Sequence, residues 1–217
     1  MKCAVIAFPG TSGEQETRKA LEMQGISVEY VRHSETSLAG FDLIVLPNGF
    51  SYGDYFRPGA VAAMANIVPA IKAAAEAGVL VLGIGNGFQI LTEMGLLPGG
   101  FLQNETGKFF CGHADVIVQN SETAFTNAYT AGQTISLPQA HGYGKYWADE
   151  DTLNTLETQG RIVFTYAENG QIAGIVNERG NVLGIMPQAQ RAVEALLGSE
   201  DGTQLFASIS KAGRVAS

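Results

Sequence analysis

Three evenly spaced glycines lie where an apolar strand-like run meets the start of a helix, in the stretch LVLGIGNGFQ at residues 80–89. Gly83, Gly85 and Gly87 have the spacing of a nucleophile elbow, a sharp turn that presents a reactive side chain between a strand and a helix. The middle residue of such an elbow is Ser or Cys, which a neighbouring base activates while backbone N–H groups hold the oxyanion. Here the middle residue is Gly85, so the pattern predicts an elbow without a nucleophile.

The same glycines also fit an ordinary glycine-rich turn between a strand and a helix, and spacing alone does not separate the two interpretations. A dinucleotide-binding fingerprint is disfavoured, because its third glycine falls on Phe88 and the turn follows the fourth predicted strand rather than the first. Anion binding at the start of the helix is a weaker alternative.

Three histidines are available as a base for such a site: His33, His113 and His141. His33 ends the second predicted strand and is expected to be solvated or to cap a neighbouring element, whereas His113 lies within a strand-like run. His141, in PQAHGYGKYW, fits either a loop that approaches a binding surface or a histidine with a structural hydrogen bond. The sequence contains no HExxH, no CxxC and no carboxylate cluster at metal spacing, so we expect no metal site and no cofactor.

The segment FSYGDYFRPGA, residues 50–60, concentrates aromatic side chains together with Asp54 and Arg57. Loops of this composition often contact a ligand or a partner protein, although they also serve to cover a core. Both interpretations are kept.

The bulk composition fits one globular domain over residues 1–217, with 46% hydrophobic and 16% charged residues. A formal net charge of -8 argues against nucleic acid and anionic membranes as partners. Cys3 and Cys111 both lie in apolar runs, which predicts two buried, reduced thiols. The N-terminal apolar run AVIAF ends at Pro9 and Gly10, and no charged segment precedes a long apolar run there, so we expect no signal peptide. Polar residues and Pro69 interrupt the longest apolar region, so we expect no membrane span and a cytoplasmic protein.

The elements that position the glycine turn alternate in the first half of the chain. The strands KCAVIAF, VEYVRH, FDLIVLP and VLVLGI are separated by helical segments, including one to about Gly25 and a long Ala-rich helix from about Gly59 to Gly78. This alternation predicts an α/β fold with a mostly parallel sheet flanked by helices.

The second half of the chain changes character. Short strand-like runs predict a more antiparallel arrangement, with a hairpin loop at ERGN, residues 178–181, and a helix from Asp149 to Gln159. The stretch from about Arg191 is predicted to be helical, with a break near Gly198 to Gly202.

In open α/β sheets the working site lies beyond the carboxyl ends of the strands. We therefore expect three loops to meet: residues 9–12 after the first strand, 47–52 after the third and 85–87 after the fourth. The loop that begins at Pro187 is expected to join them.

Four longer segments carry a family resemblance. They are HSETSLAGFDLIVLPNGFSYGDYFRPGA, GNGFQILTEMGLLPGGFLQN, PQAHGYGKYW and GIVNERGNVLGIMPQAQRAVEALLGSEDG. In order and spacing the chain resembles the glutaminase subunits of phosphoribosylformylglycinamidine synthases, which are class I glutamine amidotransferases. The resemblance implies a flavodoxin-like fold, a Cys-His-Glu triad that hydrolyses glutamine, a synthetase-like large subunit that receives the ammonia and, in many bacteria, a small accessory subunit.

When the family's motifs are matched to this chain residue by residue, the expected catalytic residues are absent. The nucleophilic Cys falls on Gly85, the His on Gln188 and the Glu on Gln190, and the first glycine of the family's PGGF loop is Asn48. The Pro that follows the triad His is also replaced, by Ala189, and this set of changes indicates natural decay or repurposing rather than a laboratory trapping mutant. The resemblance implies ligand-binding roles at Asn48, Gly49, Phe50, Asn86, Gln89 and His141.

These replacements predict a chain without glutaminase activity, because losing the nucleophile of a triad costs roughly 10⁶-fold in rate. Glycine also relaxes an elbow backbone that is strained for any other residue. We expect a scaffold or regulatory partner of a synthetase-like subunit in purine biosynthesis. Two alternatives remain: an enzyme that uses other residues, such as Thr11 or Ser12, and a module that binds a glutamine-like small molecule.

Overall fold

The computed structural model describes residues 1–215, and its framework is a nine-stranded sheet. The strands of the chain are β1 Lys2–Ala7, β2 Ser27–Arg32, β3 Leu43–Leu46, β4 Leu80–Ile84, β5 Gly100–Leu102, β6 Phe110–Val118, β7 Thr134–His141, β8 Lys145–Trp147, β9 Ile162–Tyr166, β10 Ile172–Val176 and β11 Val182–Ile185. The helices are α1 Glu14–Glu22, α2 Val68–Glu76, α3 Asn86–Glu93, α4 Glu150–Thr158 and α5 Thr203–Val215.

The order of strands in the large sheet is β2-β1-β3-β4-β11-β10-β9-β6-β7, while β5 and β8 pair with each other separately. The pairs from β2 to β11 are parallel, and those from β11 to β7 are antiparallel. This arrangement confirms the α/β prediction and the more antiparallel second half, including the hairpin between β10 and β11.

The central strands are apolar throughout because both faces of the sheet are covered. Every residue of β3 is buried, and so is β4 apart from its first residue. One hydrophobic cluster joins the sheet to α1 and α5 through Leu21 and Leu205. The other joins it to α2 and α3 through Ile71 and Leu91. Helices on both faces are what a parallel sheet of this composition requires.

The Ala-rich segment between β3 and β4 is not one long helix, so this prediction was wrong. Ala62–Met64 forms a single 3₁₀ turn, Ala65 is extended, and α2 begins only at Val68 with Pro69 in its first turn. A proline ring clashes with a preceding helical turn and lacks the N–H that would bond to it, so Pro69 starts a helix and does not continue one.

The predicted helix from Arg191 is also wrong for its first part. Residues 189–191 and 195–197 form short 3₁₀ turns, and Gly198 is left-handed with φ 100°. A left-handed glycine ends a helical segment, so the helix α5 begins only after this break, at Thr203.

The two cysteines differ in burial, which corrects the prediction that both are buried. Cys3 lies in β1 within the core, whereas Cys111 is exposed on β6. The first half of β6 pairs with β7 alone, because β9 reaches only Val116 to Val118. The apolar run that contains Cys111 therefore includes residues that are exposed to solvent. Over the described residues, no helix is long and apolar enough to cross a membrane.

Gly83 and Gly87 are required by the close approach of α3 to β4 and to the end of β3. A Cβ on Gly83 would lie 2.7 Å from the carbonyl carbon of Gly87. A Cβ on Gly87 would overlap the carbonyl oxygen of Leu46 and lie 2.7 Å from its carbonyl carbon. Two of the three glycines are thus explained by packing alone.

The Gly87→Ala variant is expected to lose about 3 kcal/mol of unfolding free energy, because the backbone of β3 cannot move away from the added methyl group without disturbing the sheet. Gly100→Ala is the matched control, since no atom lies within 4 Å of a Cβ at that position. The control is expected to change by less than about 1 kcal/mol. Urea unfolding measures both, and equal losses would contradict the packing argument.

Candidate functional site

A sharp turn at Gly85 joins β4 to α3 and forms the centre of the candidate site. Gly85 has φ 56° and ψ -111°, a backbone conformation that residues other than glycine adopt only under strain. Its N–H donates to the carbonyl oxygen of Ile185 at 2.8 Å, and its carbonyl accepts from Phe88 and Gln89 as α3 begins. The turn is therefore an elbow in shape and in position, as its glycine spacing predicts.

The loops expected to surround the elbow do meet there. Gly49 forms an isolated bridge with Thr11, and the carbonyl oxygen of Asn48 accepts hydrogen bonds from Ser12 and Gly13 at 3.1 Å and 3.0 Å. The loop after β11 lies beside the elbow, because Ile185 and Ile84 are paired at the ends of parallel neighbouring strands. The carboxyl ends of β1, β3, β4 and β11 therefore share one site.

The six residues with expected ligand-binding roles lie around one small cavity. They are Asn48, Gly49, Phe50, Asn86, Gln89 and His141. The cavity has a volume of about 10 Å³, at the limit of what one water molecule needs. In this conformation the cavity does not admit an amino acid, which weakens the hypothesis of a small-molecule binding module.

A chain of buried amide groups fills the space around the cavity. The side-chain oxygen of Asn48 accepts from the backbone N–H of Asn86 at 3.2 Å, and the side-chain oxygen of Asn86 accepts from Ser51 N–H at 3.0 Å. The side-chain nitrogen of Asn86 donates to Gln89 Oε1 at 2.9 Å, and Gln89 Nε2 donates to the carbonyl oxygen of Tyr143 at 2.8 Å. These bonds join the loops after β3 and β7 to the start of α3.

Gln188 and Gln190 follow β11, and both are 1% exposed. Their side chains meet each other, with Gln190 Nε2 3.4 Å from Gln188 Oε1, and Gln190 Oε1 has no hydrogen-bond partner. An amide neither gains nor loses a proton near neutral pH, so this pair cannot serve as a base and its carboxylate partner. Neither residue lines the small cavity.

His141 ends β7, and hydrogen bonds occupy both of its ring nitrogens. Nδ1 lies 3.0 Å from Asn104 Oδ1, and Nε2 lies 2.9 Å from Gln139 Oε1. A neutral ring donates from only one nitrogen, so the Gln139 amide must turn its nitrogen towards Nε2 for both contacts to be hydrogen bonds. The amide of Asn104 is oriented by its nitrogen, which donates to the carbonyl oxygens of Lys108 and His141, so Nδ1 carries the proton toward Asn104. Burial lowers the pKa of His141 to about 4, which keeps the ring neutral. The structural hydrogen bond, one of the two interpretations of this residue, is therefore present, and His141 also lines the small cavity.

The other histidines lie away from the elbow. His33 is half-buried, its Nδ1 lies 3.0 Å from the hydroxyl group of Tyr52, and its carbonyl oxygen accepts the N–H of Ile67, which precedes α2, at 3.1 Å. His113 is exposed on β6 opposite Pro138.

Asp54 is a site residue whose role the sequence did not indicate beyond its place in an aromatic loop. It lines the small cavity with φ 56°, its Oδ1 is buried without a hydrogen-bond partner, and burial raises the pKa of its carboxyl group. Arg57, in the same loop, bonds to both carboxylate oxygens of Glu93 on α3, at 2.5 Å and 2.7 Å. The loop is therefore tied to the helix that the elbow begins.

A larger cavity of about 620 Å³ lies on the other side of His141, between β6, β7 and the turn after β9. The Tyr166 hydroxyl group is buried there without a hydrogen-bond partner, and burial raises its pKa. Within residues 1–215, no group of His, Cys, Asp or Glu side chains is arranged to hold a metal ion.

The fold and the elbow define a class of protein: residues 1–208 match the family of CobB/CobQ-like glutamine amidotransferase domains, and the chain belongs to that family. A solved structure of PurLQS from Thermotoga maritima is 46% identical to this chain, with a TM-score of 0.90 and 97% coverage of both chains. The resemblance to the glutaminase subunit of phosphoribosylformylglycinamidine synthase is thus confirmed.

More distant structures show the same fold. A glutamine amidotransferase from Thermotoga maritima is 17% identical with a TM-score of 0.63, over 99% of this chain and 92% of its own. The glutaminase domain of Trypanosoma brucei CTPS, solved with bound acivicin, is 13% identical with a TM-score of 0.67, over 99% and 94%. These likenesses confirm the predicted fold class, a class I glutamine amidotransferase fold.

The neutral His141 predicts a specific loss of stability in acid. Its pKa in the folded chain is about 4, below the value of about 6.5 expected in the unfolded chain, so the stabilisation is complete above about pH 6.5. It is lost as the pH falls from there towards 4, because only the unfolded chain gains the proton. The expected loss is about 3 kcal/mol. Urea unfolding should show a smaller loss over this range for His141→Gln than for wild type, and parallel losses would contradict the assignment.

Proposed function

We propose that this chain is a glutamine amidotransferase-like subunit without glutaminase activity, which acts as a scaffold or regulatory partner of a synthetase-like large subunit in purine biosynthesis. One observation carries the proposal: the elbow is intact in shape, but its centre is Gly85 and a buried Asn48 side chain lies over it. Amide hydrolysis by this route needs a nucleophile at the elbow and a base to activate it. Gly85, Gln188 and Gln190 supply neither.

Four other candidate nucleophiles, Thr11, Ser12, Ser51 and Cys3, do not repair this loss. Thr11 Oγ1 accepts the backbone N–H of Phe8 at 2.9 Å, and Ser12 is exposed to solvent. The Ser51 hydroxyl group is buried near the elbow but has no hydrogen-bond partner, and hence no base to take its proton. Cys3 is enclosed in β1, and burial raises the pKa of its thiol well above the usual range, which keeps it protonated and unreactive.

The loop at residues 50–57 supports a role in docking. Tyr52, Asp54 and Phe56 all have positive φ values, which cost on the order of 1–3 kcal/mol each and persist where function requires them. The side chains of Tyr55 and Phe56 are 74% and 94% exposed. Strained backbone that presents aromatic rings to solvent is typical of a surface that a partner protein covers.

The 46% identical structure comes from an assembly named PurLQS. This likeness supports a synthetase-like large subunit as the partner, with a small accessory subunit as a further member of the complex, and a cytoplasmic site of action. No nucleic acid or membrane is involved in the proposed function.

The direct test is the release of glutamate from L-glutamine by the purified chain, alone and mixed with the large subunit and its nucleotide substrate. We expect a rate roughly 10⁶-fold below that of a triad-containing relative assayed in parallel. A rate comparable to that of the relative would refute the proposal, whatever the chain binds.

Docking is tested separately with Phe56→Ala and the large subunit. The substitution is expected to weaken binding by about tenfold or more, because a fully exposed aromatic ring that anchors an interface loses its contacts. The monomer's melting temperature should not change, since the ring packs on nothing. Met23→Ala is the matched control: Met23 is 50% exposed but follows α1 at the opposite edge of the sheet. Equal binding of both variants in a titration calorimeter would exclude this loop from the interface.

A further inference from the structure

The space above Gly85, which a side chain at the elbow would need, is already occupied. A Cβ built on Gly85 overlaps the side-chain oxygen of Asn48 and lies 3.0 Å from its Cγ. It lies 3.4 Å from the Asn48 Cβ, which is ordinary van der Waals contact. The conflict is therefore with the carboxamide group of Asn48 and not with its Cβ or its backbone.

The same carboxamide also accepts a hydrogen bond from a backbone N–H group at the elbow. Asn48 Oδ1 accepts the N–H of Asn86, the first residue of α3, at 3.2 Å. The first N–H groups of a helix have no partner within the helix, and here the donor points at the elbow. A carbonyl oxygen of a small ligand at the elbow would use this donor. Asn48 is 6% exposed, so the residues packed around it hold its amide in this position.

We infer that Asn48 is a built-in ligand of the elbow, which fills the side-chain space of position 85 and occupies the N–H of Asn86, and thereby excludes carboxamide ligands such as L-glutamine. The space above the elbow therefore has room for one side chain, either that of Asn48 or one on residue 85. The inference rests on the proposed function, because it assumes that the elbow carries no catalytic group. Its tests measure packing and binding rather than hydrolysis, so the two can fail independently.

The first test uses thiol reactivity. In a Cys111→Ser background the one remaining native thiol is that of the buried Cys3, so labelling by iodoacetamide reports on a cysteine at position 85. We expect Gly85→Cys to label at least about tenfold faster when combined with Asn48→Ala than with native Asn48. Asn48→Asp keeps the shape of the side chain and is the matched control, which should label as slowly as native Asn48. Equal rates in the Asn48 and Asn48→Ala backgrounds would overturn the inference.

A second test covers the case in which the cysteine variants fold poorly. Gly85→Ala adds only the Cβ, and its drop in melting temperature should be smaller by roughly 4 °C in the Asn48→Ala background than with native Asn48. The strain of a positive φ is common to both backgrounds and cancels in the comparison. Equal drops in both backgrounds would show that the two positions do not compete, and would overturn the inference.

The third test addresses ligand exclusion with L-glutamine near its solubility limit as the probe. The melting temperature of Asn48→Ala should rise with glutamine, whereas those of wild type and Asn48→Asp should not. A rise of the same size in wild type, or no rise in any variant, would overturn the claim that Asn48 excludes the ligand. Neither result depends on whether the chain hydrolyses glutamine.

Discussion

The contact of α3 with the ends of β3 and β4 is the constraint on which the site depends. A Cβ on Gly83 of β4 would collide with the backbone of Gly87, a Cβ on Gly87 would collide with the carbonyl group of Leu46 in β3, and the chain turns from β4 into α3 at a positive φ on Gly85. This contact directs the first N–H of α3 at the carboxyl edge of the sheet. The loops after β1, β3 and β11 gather around it because their strands are parallel neighbours.

Buried amides form the hydrogen-bond network around the elbow. Asn48, Asn86 and Gln89 bond around the elbow, and Gln188 and Gln190 meet behind it. A neutral amide costs less to bury than a charged group, and it remains neutral at any physiological pH. Among these five amides, Gln190 Oε1 is the one side-chain oxygen that is buried without a hydrogen-bond partner.

The sequence predicts the framework well because its strongest patterns are local. The apolar strands, the hairpin at residues 178–181 and the elbow follow from runs and glycine spacing that do not depend on distant contacts. The errors come from single residues that outweigh composition: Pro69 delays α2, and Gly198 separates two short turns from α5. The exposure of Cys111 depends on how far β9 extends along β6, and the packing of Asn48 over Gly85 depends on contacts 37 residues apart in the sequence, so neither was predictable from the sequence alone.

Restoration of activity tests the central claim most directly, namely that the elbow has lost its chemistry and that Asn48 now fills it. Gly85→Cys, Gln188→His and Gln190→Glu would be combined with and without Asn48→Gly, and glutamate release from L-glutamine would be measured in the presence of the large subunit. We expect release only from the fourfold variant. Release from the threefold variant at the same rate, or from the wild-type chain, would contradict the claim.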